Sequence, residues 1–314
     1  MIIIINKSAT YKGSDYGSDK SCFSMDKRDS DYGYMGSCCT FSLGVDMSEK
    51  MAMPNEHRNV SKTPGHWVLA QLGKKVLRPG GKELTQKMLQ SLKITTADRV
   101  VEFAPGMGYT ARLCLEKAPK SYTAIEQNEQ AAEIVRSYLK GGLQLCKLGN
   151  AQQTGLEESV ATVVYGEAML TMQSDSRKNE IIAEASRILE AGGRYGIHEL
   201  CISPDSIAPS AKRAIQKEVS EAIQHPAKPI TPVEWKQLML DNGFEIEFEA
   251  VAPMHLLEPK RMIDDEGILG FLKIAKNLLT RPKARARVLG MRKVFSKHKH
   301  NLAAITLVAK KKQI

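Results

Sequence analysis

Apolar positions first settle into a regular period near residue 83. Leu84, Met88 and Leu92 recur every fourth residue, and this spacing predicts a helix over 83–92. From there two periods alternate. Short apolar runs predict strands over 99–103, 121–126, 143–148, 159–165 and 194–200. Helical spacing predicts helices over 108–117, 129–139 and 174–189, the last with Ile181, Ile182, Ala185 and Ile188 as its buried stripe. Gly192 and Gly193 are expected to end that helix. Thr231, Pro232 and Glu234 stand in the order of an N-cap, a first-turn proline and a capping-box acid, so another helix starts there and runs to Asn242-Gly243. Strands over 244–250 and 302–310 complete the pattern. Strands alternating with helices in this way imply βαβ units with right-handed crossovers, that is, a largely parallel sheet covered on both faces.

The flanks depart from this rhythm. Residues 1–50 show no helical or alternating period and are rich in Ser, Gly, Tyr and Asp, which predicts a disordered tail. Residues 51–97 read as a helical cap that carries Gly65-His66-Trp67 and the turn Pro79-Gly80-Gly81. The core then spans 98–252, a basic helical insertion 253–301, and the final strand and tail 302–314. In the insertion Ile268, Phe271, Leu272, Ala275, Leu278 and Leu279 form an apolar stripe at helical spacing, with Lys273 and Lys276 off it. Pro282 interrupts the stripe, and cations follow from Lys283 to Lys299.

Composition narrows the class. Of 314 residues 42% are hydrophobic and 25% charged, enough for a full core. The apolar opening Met1–Ile5 is too short for a signal core, and no stretch approaches the ~18 residues of a membrane span, so membrane-spanning and secreted classes are set aside. Six cysteines with no C-x-x-C pair suggest neither a disulfide framework nor a metal site, and Cys38-Cys39 has no third ligand nearby. A reducing, cytoplasmic setting is expected. The net charge of +10 is unevenly placed: residues 267–314 hold thirteen Lys or Arg and no acid. Such a segment suits peripheral contact with an anionic membrane through 267–300. It suits nucleic-acid phosphates less well, because only Phe271 and Phe295 could stack on bases.

The most informative stretch is 100–109, VVEFAPGMGY. A buried strand carries Glu102 near its end, a turn carries Gly106 and Gly108, and a helix begins. Glycines let a ligand approach the backbone, and free N–H groups at a helix start attract anions. The carboxyl end of the first strand is the expected crevice of such a sheet. Gly106-x-Gly108-x-x-Ala111 fits a dinucleotide fingerprint, and Glu126, closing the second strand, suits ribose hydroxyls. These residues alone leave nicotinamide and other adenosine ligands open. Glu102 tilts the balance, since a carboxylate facing the loop repels a pyrophosphate and suits an ammonium and a sulfonium.

The run 101–108 resembles motif I of the class I S-adenosylmethionine-dependent methyltransferases, and 123–126 (TAIE) resembles the acidic end of their second strand. Gly149-Asn150-Ala151 is similar to their Gly-Asp-Ala, 186–194 (SRILEAGGR) to the passage before strand five, and Glu234-Trp235 with Asn242–Phe244 to the helix and turn before strand six. The nearest resemblance is to the small-molecule branch that includes quinone-type C-methyltransferases. It implies a Rossmann-like, seven-stranded, mostly parallel α/β sheet with helices on both faces and a basic helical insertion before the last strand. It further implies that Glu102, Ala104, Gly106 and Gly108 hold the methionine part of S-adenosylmethionine. Glu126, with Gln127 beside it, would take the ribose, Asn150 and Ala151 the adenine, and Tyr165 would offer its ring to the sulfonium. Ala104 stands where the family has its first glycine, and Asn150 where it has Asp.

The expected activity is methyl transfer to a small, hydrophobic acceptor, with no metal. Glu167, His198 and Glu199, at the ends of strands four and five, are the candidate bases. His66 and Trp67 are candidates for a lid. The chain has no adjacent prolines, and so lacks the Asn/Asp-Pro-Pro-aromatic motif of many nucleic-acid and protein methyltransferases. The alternatives are a non-catalytic membrane- or nucleic-acid-binding module on this fold, or an RNA methyltransferase.

Overall fold

The strands are β1 (Arg99–Phe103), β2 (Ser121–Glu126), β3 (Gln144–Leu148), β4 (Ala161–Glu167), β5 (Leu189–Ile202), β6 (Phe244–Pro253) and β7 (Leu302–Lys311). They form one sheet in the order β3-β2-β1-β4-β5-β7-β6. Strands β1 to β5 pair in parallel, and β7 runs antiparallel to both of its neighbours, β5 and β6. Strand order reverses at β1 and β4, which opens a crevice beyond their carboxyl ends. The computed structural model describes residues 59–60 and 62–313. The expected tail over 1–50, with Cys22, Cys38 and Cys39, and the start of the cap lie outside the described residues.

The helices are α1 (Gly65–Gln71), α2 (Gly81–Ser91), α3 (Tyr109–Leu115), α4 (Glu129–Arg136), α5 (Asp175–Ile188), α6 (Pro209–Ile223), α7 (Pro232–Asp241), α8 (Pro259–Thr280) and α9 (Pro282–Lys297). Alternation along β1 feeds two cores. Val101 and Phe103 meet Ile181, Ile182, Ala185 and Trp235 of α5 and α7, while Val100 faces Met88, Leu92, Ala111 and Cys114 of α2 and α3. A third apolar cluster joins α1, α6 and α9 through Leu69, Val219, Ile223, Val288 and Met291.

Local sequence explains several boundaries. At α7 the Thr231 hydroxyl accepts from the Glu234 N–H, and the Glu234 carboxylate accepts from the Thr231 N–H at 2.7 Å, the reciprocal cap its sequence predicts. Gly192 and Gly193 do not end α5. They lie inside β5, which already starts at Leu189; five steps of β5 pass against two of β4 there, so the glycines form a bulge in a longer strand. Helix α6 falls in a stretch with no assigned element, although Ile215, Val219 and Ile223 recur every fourth residue on its buried side.

The insertion is two helices, with α8 kinked at Gly267. Its apolar stripe is not a packing face throughout. Ile274 is buried and Leu278 reaches the third cluster, but Ile268, Leu272 and Leu279 are 67%, 56% and 73% exposed. The first part of α8 is clamped to the cap. Asp265 Oδ1 accepts from the Lys82 N–H at 3.0 Å, and Glu266 Oε1 from the N–H groups of Lys75 and Val76 at 2.8 and 2.9 Å. The buried Lys74 ammonium lies 3.4 Å from Asp265 and 3.6 Å from Glu266.

Candidate active site

A cleft of about 220 Å³ opens beyond the carboxyl ends of β1, β2 and β4. Its floor is the turn after β1, where Ala104, Gly106 and Gly108 have φ of +51°, +55° and +70°. The two glycines serve different ends. A Cβ on Gly108 would collide with the Tyr138 hydroxyl, so this position is fixed by packing. A Cβ on Gly106 would meet nothing within 4 Å, because that backbone faces the open cleft.

Two carboxyl groups flank the turn. Glu126 is buried at the end of β2; its Oε2 accepts from the Gly106 N–H at 3.0 Å and its Oε1 from the Asn128 N–H at 2.8 Å. Burial raises its pKa against the opposing pull of these N–H donors. Glu102 is 3% exposed. Its Oε2 accepts from the hydroxyls of Tyr122 and Tyr165, while Oε1 has no partner among the described residues and the side chain lines the cleft. Burial outweighs the two tyrosine bonds and pushes the Glu102 pKa up to about 7. A cation entering here would restore its charge.

The opposite wall is a network centred on Glu167, at the end of β4. Its carboxylate accepts from the Arg78 guanidinium, from the Thr110 hydroxyl and, at 2.7 Å, from the Thr85 hydroxyl. His198 Nδ1 lies 2.8 Å from Glu167 Oε1, and its Nε2 donates to the Pro79 carbonyl at 2.6 Å. Burial alone would raise the Glu167 pKa, but Arg78 and then His198 and Thr110 hold it near 2. The guanidinium of Arg78 also stands 5.1 Å over the Tyr109 ring. His66 and Trp67 of α1 complete the lining.

The family described as a methyltransferase domain matches residues 101–197, the span from motif I through most of β5. The class I S-adenosylmethionine-dependent methyltransferases are the family this chain belongs to. An uncharacterized protein of Haemophilus influenzae is 31% identical over 251 residues, covering 79% of this chain and 98% of that one. Among solved structures, a Haemonchus contortus phosphoethanolamine N-methyltransferase, in complex with phosphomonomethylethanolamine and S-adenosylhomocysteine, superposes with a TM-score of 0.59 at 14% identity. That match covers 79% of this chain and 57% of the other. The MccD protein matches at a TM-score of 0.57 and 18% identity, over 75% of this chain and 99% of its own. At such identities these structures speak to the fold.

The methyltransferase cleft therefore brings together Glu102, Ala104, Gly106, Glu126 and Glu167 of the residues picked from sequence, along with His66 and Trp67. The residues fit an adenosyl cation: a Glu102 carboxyl that lines the cleft with one oxygen left free, open backbone at Gly106, and a second carboxyl at the end of β2. The other expected cofactor residues are placed apart from the cleft lining. Tyr165 is fully buried and cannot show its ring to the cleft; its hydroxyl orients Glu102 instead. Gly108 is turned to Tyr138, Gln127 and Asn150 are exposed outside the cleft, and Ala151 is a core residue. The Asn150 side chain accepts from the Gln152 N–H at 3.3 Å, the role of a turn residue.

The other two expected bases, His198 and Glu199, are hydrogen-bonded within the protein. Both nitrogens of His198 are engaged, and the residue is fully buried. Glu199 projects to the other face of β5, where its two oxygens accept the N–H groups of Met169, Leu170 and Thr171 and the Thr171 hydroxyl, 2.7–3.0 Å away. It fastens the turn after β4. Sequence reasoning missed Arg78, Thr85 and Thr110. The one available signal was that Arg78 immediately precedes the Pro79-Gly80-Gly81 turn; nothing in the order of residues brings it to Glu167, 89 positions on.

Proposed function

We propose that the enzyme transfers the methyl group of S-adenosylmethionine to a small apolar acceptor. When bound, the cofactor supplies an electrophilic methyl group on a sulfonium. Glu102 and the backbone at Gly106 hold its cationic methionine end, and Glu126 its ribose. The observation that carries the acceptor class is a second cavity against the first. It is walled by Leu69, Leu77, Met172, Leu200, Met291 and Phe295, and it shares His66, Leu77, Ala168 and Met172 with the cleft. An acceptor seated there is desolvated and aligned beside the cleft, which is the main contribution a protein makes to an in-line displacement. An apolar lining of this kind suits a ring compound such as the quinol substrates of the branch whose motifs the sequence resembles.

Strong bases are absent from this junction among the described residues. Glu167 is held near 2 by Arg78 and its other partners, too weak to take a proton at neutral pH. His66 is the titratable side chain common to cleft and cavity, and burial, then His225, lowers its pKa to about 4. Its ring is neutral at pH 7 and positions the acceptor through a hydrogen bond. The proton that a quinol or phenol acceptor loses on methylation is thus released to water rather than to a side chain at this junction.

Calorimetric titration with S-adenosylhomocysteine, followed by labelled-methyl transfer to a panel of quinols, phenols, polar amines and bulk RNA, tests the reading. Cofactor binding with label entering only the apolar members is the expected outcome. Label in RNA or polar amines alone would overturn the acceptor class, and absence of cofactor binding would overturn the cradle.

A further inference from the structure

The outward faces of α8 and α9 are unlike the rest of the surface. Beyond the kink at Gly267, helical spacing sets Ile268, Leu272 and Leu279 within about 40° of one another, with Leu269 and Lys276 alongside. Leu269 is 83% exposed, and no described residue covers this face. On α9 the solvent side carries Lys283, Arg285, Arg292 and Lys293 around the exposed Leu289. None of these four cations, nor Lys273 or Lys276, forms an ion pair with an acid among the described residues, whereas Lys297 is taken up by Glu218. From residue 267 onward the chain has no acid at all.

From this juxtaposition of bare leucines and unpaired cations we propose that α8 and α9 dock the enzyme on an anionic lipid bilayer. Each half of the pattern excludes a competitor. A solvated helix would not leave four large aliphatic side chains in water on one face. A nucleic-acid site would use the cations but gains nothing from Leu269, Leu272 and Leu279, and no aromatic side chain stands on the exposed faces to stack on a base. An interfacial helix needs both: aliphatic groups that enter the acyl boundary and Lys or Arg that meet lipid phosphates. Helix α9 supplies a link to the chemistry. Its buried side contributes Met291 and Phe295 to the apolar cavity, so its two sides face the proposed bilayer and the proposed acceptor site. The docking surface stands on its own; that the bilayer delivers the acceptor rests on the function proposed above.

The test is flotation of the full chain with vesicles of phosphatidylcholine alone and of phosphatidylcholine mixed with phosphatidylglycerol. The protein should float with the mixed vesicles and remain behind with the neutral ones. Lys283→Ala and Arg285→Ala should each weaken partitioning about fivefold at low salt. The double replacement Leu272→Glu with Leu279→Glu should weaken it more than tenfold, with S-adenosylhomocysteine affinity and melting temperature unchanged. No flotation with anionic vesicles overturns the proposal. So does binding that depends on the cations but ignores the leucine replacements, the mark of a polyanion site, which RNA competition would then display. Cofactor titration on the same samples separates failure of docking from failure of the methyltransferase reading.

Discussion

Glu102 is a carboxyl that the fold keeps half-discharged at neutral pH. With its pKa pushed up to about 7, the empty protein holds a proton there more tightly than the unfolded chain does. The stability this brings is complete at acid pH and is lost as pH rises from the ordinary carboxyl range through 7. Glu102→Gln should therefore gain in urea resistance relative to the native protein between pH 5 and pH 8. Ligand binding has the opposite sense: affinity for S-adenosylmethionine should climb as pH rises through 7, and calorimetry of Glu102→Gln should give a weaker and pH-independent value. Ala104 gives a second residue-level outcome. Its φ of +51° costs a side chain roughly 1 kcal/mol, which Gly would avoid at the expense of a looser unfolded chain. Ala104→Gly should leave the unfolding free energy in urea within about 1 kcal/mol of the native value and preserve cofactor affinity. Gly106→Ala keeps a similar fold but sets a methyl group in the cleft, so its titration with S-adenosylhomocysteine should weaken.

Between elements, Glu167 is the tie among β4, α2, α3 and β5. Replacing it by Gln leaves the Arg78 guanidinium, 9% exposed, without its counter-charge. Breaking a pair so buried costs about 3–5 kcal/mol, which urea denaturation of Glu167→Gln would read directly. Because the native carboxylate is held near 2, its stabilisation is whole above the usual Glu range and disappears only as pH falls from there toward 2. The acid limb of the stability curve should be shallower in the variant, with Asp98, Asp175 and Glu184, whose pKa values are also lowered, supplying what remains. This tie also marks how far the sequence could be read. The strand-turn-helix around 100–109 was legible because a buried run, two glycines and an acid are local features with local causes. The capping box at Thr231 was legible for the same reason. Arg78, Thr85 and Thr110 were not, since their meeting at Glu167 depends on which strands become neighbours. Tyr165 misled because a strand residue's facing is fixed by register: pairing Glu102 with Tyr165 across β1 and β4 puts both side chains on one side, where the hydroxyl reaches the carboxyl. The glycine pair at 192–193 misled because a bulge and a helix stop use the same residue.

Across the molecule, the basic segment that dominated the charge count turns out to be two helices whose inner sides complete a core cluster and whose outer sides carry the unpaired cations. Among the described residues no helix is long and apolar enough to cross a membrane. The clamp of Asp265 and Glu266 on Lys74, Lys75, Val76 and Lys82 means the cap and the insertion hold each other. Asp265→Asn with Glu266→Gln should loosen both together. Hydrogen exchange would then speed up at residues 75–82 as well as in α8, with the distant β2 and β3 amides unaffected.

The place of β7 has a bearing on assembly. Among the described residues edge strand β6 joins the sheet through β7 alone, which lies between it and β5. In order of synthesis β6 emerges first and has no partner to pair with until both helices of the insertion have been made. The right-hand third of the sheet is thus the product of contacts distant along the chain, and it should be the slow and chaperone-dependent stage in the birth of this protein.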